Sequence, residues 1–214
     1  MNRKIITIAH QKGGTGKSTI SLNLAVELSK KYNLEVIDLD YQKSLTIFNE
    51  TRKEKNLKPL NIVNITIQKE LINYLKTTNK MVLIDSGGFD SDLNRLSILG
   101  ANLVITPVSS NLIEIYGLEV FKNILKEMKE VEPSIKSNIL LNNIDPKAIK
   151  SISEMKQYIE NNNEYFNLLD SIIRRRSDFA KSFEIGKSVV EMNVNSKAAQ
   201  ELNSLIDNIE TISK

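Results

Sequence analysis

The strongest constraint on this chain is a glycine-rich segment near its N-terminus, Lys12-Gly13-Gly14-Thr15-Gly16-Lys17-Ser18-Thr19. It follows the apolar run Ile5–Ala9 and precedes a helical pattern from Ile20 to Leu28. Glycines let backbone N–H groups turn inward, and the N-terminus of a helix carries a partial positive charge. A strand, a turn of this kind and a helix start together predict a phosphate-binding P-loop.

Two side chains of this segment have direct roles in such a loop. Lys17 is expected to reach the β- and γ-phosphates, and the Ser18 hydroxyl is expected to bind Mg²⁺. The general pattern has glycine at position 11, where this chain has Gln11, and a second lysine, Lys12, precedes the glycines. A glycine-rich turn that binds no ligand is the alternative interpretation.

Apolar runs alternate with helical patterns along the whole chain. Predicted strands are Ile5–Ala9, Leu34–Leu39, Ile62–Ile65, Met81–Ile84, Leu103–Pro107 and Ile139–Leu141, with a weaker one at Leu168–Ile173. Predicted helices are Lys17–Lys31, Ser44–Lys55, Gln68–Thr77, Asp92–Gly100, Ile115–Val131, Ile149–Asn162 and Ser196–Ile212. This alternation predicts an α/β fold of the P-loop NTPase type, with a mainly parallel twisted sheet flanked by helices on both faces. Residues 1–214 are expected to form one domain.

Composition excludes several classes of protein. The chain has no cysteine, which excludes disulfides and thiolate metal sites, and one histidine, His10, which cannot form a zinc site alone. No apolar window is long enough to span a membrane. The formal net charge of +3 permits binding of a polyanion without requiring it. A cytoplasmic protein is the expectation.

Carboxylates follow the second predicted strand. Asp38 and Asp40 are two residues apart, so in extended backbone they project to the same side. A carboxylate near the γ-phosphate could orient an attacking water or hold Mg²⁺ through water. A capping pair before the next helix is the alternative.

Two later strand ends also carry polar side chains. Met81–Ile84 is followed by Asp85, the Walker B arrangement that positions Mg²⁺, and then by Ser86 and two glycines. Asn142 follows the strand at Ile139–Leu141. Its amide both donates and accepts hydrogen bonds, so it could recognise an adenine edge, with a turn-forming asparagine as the alternative.

Together these residues resemble the ParA/MinD family of deviant Walker ATPases. The specific feature is Lys12 within KGGTGKST. The segment Asp38-Leu39-Asp40-Tyr41-Gln42 is similar to the family's Asp-x-Asp-Pro-Gln, with Tyr41 in place of proline. Asp85-Ser86-Gly87-Gly88, Ile105-Thr106-Pro107 and the C-terminal segment from Arg175 to Glu191 also match family patterns.

The resemblance implies an ATP-dependent homodimer in which two nucleotides are sandwiched between the subunits. Lys12 of one subunit would contact phosphates held by the other, and Asp40 would activate water. Asp38 and Asp85 would support Mg²⁺ through water, with Ser18 as a direct ligand. Pro107 and Asn142 would join the P-loop residues in holding ATP.

Branches of the family differ in what else they bind. Iron-carrying relatives need cysteines, which this chain lacks, and membrane-cycling relatives of the MinD type have a basic amphipathic C-terminal helix. Here the segment from Ser196 to Lys214 is slightly acidic, and its apolar positions fit a face turned toward the core. We therefore expect no membrane binding. The chain starts directly at the first strand, so an N-terminal DNA-reading domain is not expected.

The remaining branch is the DNA-partition ATPases, which bind DNA nonspecifically as ATP dimers and are released when a ParB-like centromere-binding adaptor stimulates hydrolysis. Such proteins associate with the nucleoid. Basic residues in the C-terminal segment could supply sequence-independent phosphate contacts, although a solvated surface is the alternative. They are Arg174, Arg175, Arg176, Lys181 and Lys187.

Three other functions stay open at this stage. The same ATPase could position another cargo, such as a conjugation complex or a protein cluster. A MinD-like membrane-cycling ATPase is a further alternative, although the slightly acidic C-terminal segment disfavours it. A metabolic P-loop synthase would act on a small substrate, but it leaves Lys12 unexplained.

Overall fold

Six apolar segments form one parallel sheet in the computed structural model, which describes residues 4–212. The order across the sheet is β2-β3-β1-β4-β5-β6, and every neighbouring pair is parallel. The strands are β1 (Lys4–Ile8), β2 (Leu34–Asp38), β3 (Met81–Asp85), β4 (Leu103–Val108), β5 (Ser137–Ile144) and β6 (Phe166–Arg174). All six lie at sites that the sequence predicts.

Helices connect and cover these strands. They are α1 (Lys17–Lys31), α2 (Ser44–Glu54), α3 (Gln68–Thr77), α4 (Asp92–Leu99), α5 (Leu112–Met128), α6 (Ile149–Asn161), α7 (Ser177–Ile185), α8 (Val189–Met192) and α9 (Lys197–Ile212). Seven correspond to predicted helices, and the bounds of α1 and α3 match the prediction at both ends. The short helices α7 and α8 have no counterpart among the predicted helices.

Alternate strand residues supply two cores, one on each face of the sheet. Ile6 and Val36 pack with residues of α1, α2, α7, α8 and α9. Ile5 and Val82 pack with α3 and α4, and Val104 on the same face packs with α5 and α6. Both faces are thus covered, which explains why apolar strand residues are buried on both sides of the sheet.

The predicted strand at Ile62–Ile65 is wrong. Within the described chain this segment forms one isolated bridge, from Ile62 to Val36 at the edge of the sheet. Beyond Val63 the chain leaves the edge, and Ile65 turns inward to pack in the core beside α3. The apolar side chains that predict a strand here instead anchor a loop.

The register of the central strands brings the chemically important residues together. Ile8 pairs with Asp85, and Asp85 pairs with Asp38. The loop after β1, the end of β3 and the end of β2 therefore lie side by side at the carboxyl edge of the sheet. This edge is where ligands bind in open parallel sheets.

Candidate functional site

The glycine-rich loop opens into a cavity of about 610 Å³ at this edge. Gly14 and Gly16 have φ angles of 78° and 90°, a region that other residues rarely adopt. Gly16 is the N-cap of α1, whose first turn contains no acidic residue, so its positive end faces the cavity uncompensated. The lining residues are Gly13, Gly14, Gly16, Lys17, Ser18, Thr19, Asp40, Tyr41, Gln42, Ser44, Gly88 and Phe89.

Lys17 is buried beneath this loop. Its ammonium donates a 2.9 Å hydrogen bond to the backbone oxygen of Lys12. Burial lowers the pKa of Lys17, while the nearby carboxylates of Asp85 and Asp40 act in the opposite direction. A buried cation with one neutral partner is suited to pairing with an incoming phosphate.

The loop after β3 approaches the glycine-rich loop very closely. A side chain at Gly88 would place its Cβ 3.2 Å from Gly13 Cα and 3.3 Å from Gly13 N, so any larger residue would push the two loops apart by a few tenths of an ångström. Asp85, fully buried at the end of β3, accepts a 2.7 Å hydrogen bond from Ser21. Burial raises the pKa of Asp85 to about 7. Its Oδ2 finds no hydrogen-bond partner within residues 4–212.

These features fit a magnesium nucleotide. The unpartnered Asp85 Oδ2 is a polar atom that a hydrated cation would satisfy, and the Thr15 hydroxyl of the loop is likewise buried without a partner among the described residues. The Ser18 hydroxyl also interacts with the Asp85 carboxylate. The cradle of backbone N–H groups, Lys17 and the helix end supply the positive side of the site.

The two aspartates at the end of β2 and in the loop after it have different surroundings. Asp40 lines the cavity and accepts a 2.8 Å hydrogen bond from the Gln42 backbone. Asp38 accepts hydrogen bonds from the backbone and hydroxyl of Thr46, at 3.0 and 2.9 Å, and so braces the start of α2. They do not project together as predicted, because β2 ends at Asp38 and Asp40 lies in the following loop. Their roles toward water and Mg²⁺ stay predictions.

Neither Asn142 nor Pro107 lines the cavity. The Asn142 amide is buried and donates a 2.8 Å hydrogen bond to the backbone oxygen of Thr15. It occupies the space that a side chain at Gly16 would need. Pro107 is buried within β4, opposite Leu140. In this structure Asn142 holds the glycine-rich loop, and its predicted contact with a base stays a prediction.

The Lys12 side chain turns away from the cavity toward α5. Its ammonium lies 2.5 Å from a carboxylate oxygen of Glu114, whose side chain is 9% exposed. Sequence reasoning missed Glu114. The signal that could have found it is an acidic residue in the otherwise apolar start of α5, Leu112-Ile113-Glu114-Ile115.

The predicted DNA-binding residues are only partly free. Arg174 and Arg176 both form ion pairs with Glu201 of α9, at 3.2 and 2.6 Å. Arg175 is exposed and donates a 3.3 Å hydrogen bond to Asn143. Lys181 is exposed on α7, and Lys187 is half-buried in the loop after it. Arg174 ends β6, which places the arginines at the same edge of the sheet as the cavity.

Comparison with known proteins agrees with this geometry. Residues 6–189 match the family model described as the CobQ/CobB/MinD/ParA nucleotide binding domain. The chain belongs to this family. It is thus a P-loop ATPase of the ParA/MinD type, and the resemblance drawn from Lys12 and the aspartates is confirmed.

Individual relatives extend the comparison. The chain is 32% identical to the uncharacterised protein MJECL24 of Methanocaldococcus jannaschii over 59% of this chain and 46% of that protein, less than half of the relative's length. It is 20% identical to the maintenance of carboxysome distribution protein A of Halothiobacillus neapolitanus, over 95% of both chains. Identity to Protein ParA of Rhizobium radiobacter is 25%, over 88% of this chain and 86% of that protein.

A solved structure shows the same fold. It is a plasmid partition protein of Borrelia burgdorferi bound to AMPPNP, with a TM-score of 0.74 and 18% identity over 98% of this chain and 99% of that chain. The α/β fold predicted from the sequence is thereby confirmed.

The C-terminal helix of this ParA/MinD-type domain packs inward. Its apolar residues are buried against the sheet, as the sequence predicts: Ala198, Ala199, Leu202, Leu205, Ile206 and Ile209. Within residues 4–212, no helix is both long and apolar enough to cross a membrane.

Proposed function

We propose that this chain is a ParA-type ATPase for DNA partition. ATP drives two subunits into a sandwich dimer that binds DNA nonspecifically, and a partner of the centromere-adaptor type releases it by stimulating hydrolysis. The observation that carries the proposal is a complete phosphate cradle with a second lysine, Lys12, beside it. A P-loop that worked within one subunit would need only Lys17.

Each protein group assigned to the nucleotide site has a proposed role in binding or hydrolysis. Lys17, the loop N–H groups and Thr19 would hold the phosphates of ATP. Ser18 would bind Mg²⁺ directly, and Asp85 and Asp38 would do so through water; Mg²⁺ neutralises phosphate charge when bound. Asp40 lines the cavity and is half-buried, which suits a group that orients water.

Exposed apolar side chains around the cavity support the dimer. Tyr41 is 88% exposed and Phe89 is 52% exposed at the cavity rim. On α5, beside Lys12, the exposed apolar residues are Leu112, Ile113 and Tyr116. Exposed apolar residues beside a functional site are typical of an interaction surface.

Arg175 and Lys181 are the best candidates for DNA contact. Both are exposed, and neither forms an ion pair within residues 4–212, in contrast to Arg174 and Arg176. Dimerisation would double a weak set of contacts, because binding of the second subunit to the same DNA is intramolecular.

Positioning of a different cargo is the second candidate. The carboxysome-distribution relative, aligned over 95% of both chains, favours it. The same ATP-dependent dimer would serve both functions. A membrane-cycling function is less well supported, since the apolar face of α9 is already buried.

DNA binding is expected to require the ATP-bound state. We predict that an ATP analogue raises affinity for two unrelated duplexes alike, and that ADP does not. Affinity should fall steeply with salt. The logarithm of the binding constant should fall linearly with the logarithm of the salt concentration. Changing Arg175→Ala together with Lys181→Ala should make this slope shallower by about 0.9 for each phosphate contact that the changes remove. Fluorescence anisotropy across a salt series measures this, and this pair of changes leaves the Arg176–Glu201 ion pair intact.

A matched control is Lys126→Ala with Lys136→Ala. Lys126 lies in the last turn of α5 and Lys136 just before β5, so both are exposed at the opposite edge of the sheet. This control should bind DNA as the wild type does. Binding that ignores the nucleotide, or that survives unchanged in the Arg175/Lys181 variant, would favour cargo positioning through another surface.

A further inference from the structure

The ion pair between Lys12 and Glu114 joins the nucleotide loop to α5 within one subunit. The distance is 2.5 Å, and the Glu114 side chain is 9% exposed whereas that of Lys12 is 30% exposed. The second carboxylate oxygen of Glu114 is buried and has no hydrogen-bond partner among the described residues. Lys12 is therefore the main compensation for a buried negative charge.

The surface of α5 is shaped to receive the lysine. A side chain at Gly117 would place its Cβ 3.4 Å from Lys12 Cδ and 3.3 Å from His10 Cε1, so glycine leaves room for the lysine stem. Gln11 donates a 2.6 Å hydrogen bond to the Gly117 backbone oxygen, which ties the loop to the same turn of α5.

Two other basic side chains near the loop, His10 and Lys17, do not replace the charge of Lys12. His10 is buried and stacks on Phe121, and burial lowers its pKa to about 4, so it is neutral near pH 7. Lys17 lies under the loop, with its ammonium on the backbone oxygen of Lys12. Removal of Lys12 from Glu114 would leave a buried carboxylate unpaired, which is strongly unfavourable.

We propose that Glu114 is a latch that holds Lys12 within its own subunit and thereby opposes dimerisation. The inference rests on the proposed function, in which Lys12 contacts phosphates of the other subunit. That contact competes with the Glu114 ion pair for the same ammonium. Only a strongly charged group, the nucleotide phosphates across the interface, displaces it. The latch thus keeps the subunits apart until ATP is bound.

The test is Glu114→Gln, which keeps the shape of the side chain and removes its charge. Sedimentation velocity over a range of protein concentrations, with Mg²⁺ and ATPγS, gives the dimer dissociation constant. We expect this constant to fall by about tenfold or more, because a hydrogen bond to a charged group within the monomer is weakened. With ADP the variant should stay monomeric.

Glu119→Gln is the matched control on the same helix. Glu119 forms an ion pair with Lys122 and accepts a hydrogen bond from Tyr158, away from the loop. It should dimerise as the wild type does. Glu114→Asp, which keeps the charge but shortens the side chain, should fall between wild type and Glu114→Gln, and it serves as the second variant if the glutamine variant does not fold.

The outcomes separate the two claims. If the wild type dimerises with ATPγS and Glu114→Gln dimerises no more tightly, the latch is wrong. Weaker dimerisation of the variant would also overturn it and would assign Glu114 to positioning Lys12 in the dimer. If neither protein dimerises, the proposed dimer is overturned, and the latch with it. If only the variant dimerises, the latch is supported and holds more strongly than expected.

Discussion

Lys17→Ala is expected to abolish detectable binding of ATP. The Lys17 ammonium is the buried cation beneath the glycine-rich loop, and its partner in the protein is one backbone oxygen. Loss of the charge removes the charge-assisted contact to the phosphates, the strongest kind of hydrogen bond the site can offer. Titration calorimetry with ATP and Mg²⁺ measures the effect.

The same change should leave the fold intact. Burial lowers the pKa of Lys17, which means that the folded protein holds this charge at a cost. The thermal midpoint of Lys17→Ala should therefore be equal to that of the wild type or higher. Lys30→Ala, at the other end of α1, is the control and should bind ATP normally. Unchanged ATP affinity in Lys17→Ala would remove Lys17 from the phosphate site.

Asp40→Ala and Asp40→Asn are both expected to slow ATP hydrolysis by about 10²–10⁴-fold while ATP binding and the dimer persist. The phosphate cradle is independent of Asp40, whereas the orientation of water is not. Single-turnover kinetics measure the hydrolysis step, and sedimentation with ATP should show an accumulated dimer.

The Asp40→Asn variant distinguishes a role of Asp40 in ATP hydrolysis from a role in holding the loop. The side-chain amide oxygen in Asp40→Asn would still accept the hydrogen bond from the Gln42 backbone that Asp40 accepts in this structure. If Asp40 serves only to hold the loop, the asparagine variant will hydrolyse ATP near the wild-type rate while the alanine variant will not. That result would assign Asp40 to structure.

Local patterns predict the parts of the fold that depend on local chemistry. The apolar runs and the glycine-rich turn place β1 and α1, and the bounds of α1 agree with the structure residue for residue. The strand prediction for Ile62–Ile65 is wrong because the same apolar pattern suits both a strand and a loop anchored in the core. Only the packing beside β2 decides between the two structures. The helix α8 has only four residues, which is too few to give a periodic pattern.

Interactions between distant segments could not be predicted from the sequence. Asn142 braces Thr15 from 127 residues away, and Glu114 pairs with Lys12 from 102 residues away. Glu201 likewise binds two of the three predicted DNA-contacting arginines. Each of these side chains carries a charge or an amide group. The order of strands in the sheet determines which distant residue that group contacts. The sequence shows the polar group but not what it faces.

The central claim is that Lys12 acts on a nucleotide held by a second subunit, and sedimentation velocity of Lys12→Ala tests it most directly. The double variant Lys12→Ala with Glu114→Gln accompanies it, because it removes the buried carboxylate that the single change leaves unpaired. We predict that the wild type is monomeric with ADP and dimeric with ATPγS, and that both variants bind ATPγS but stay monomeric. A dimer of either variant as tight as that of the wild type would contradict the account.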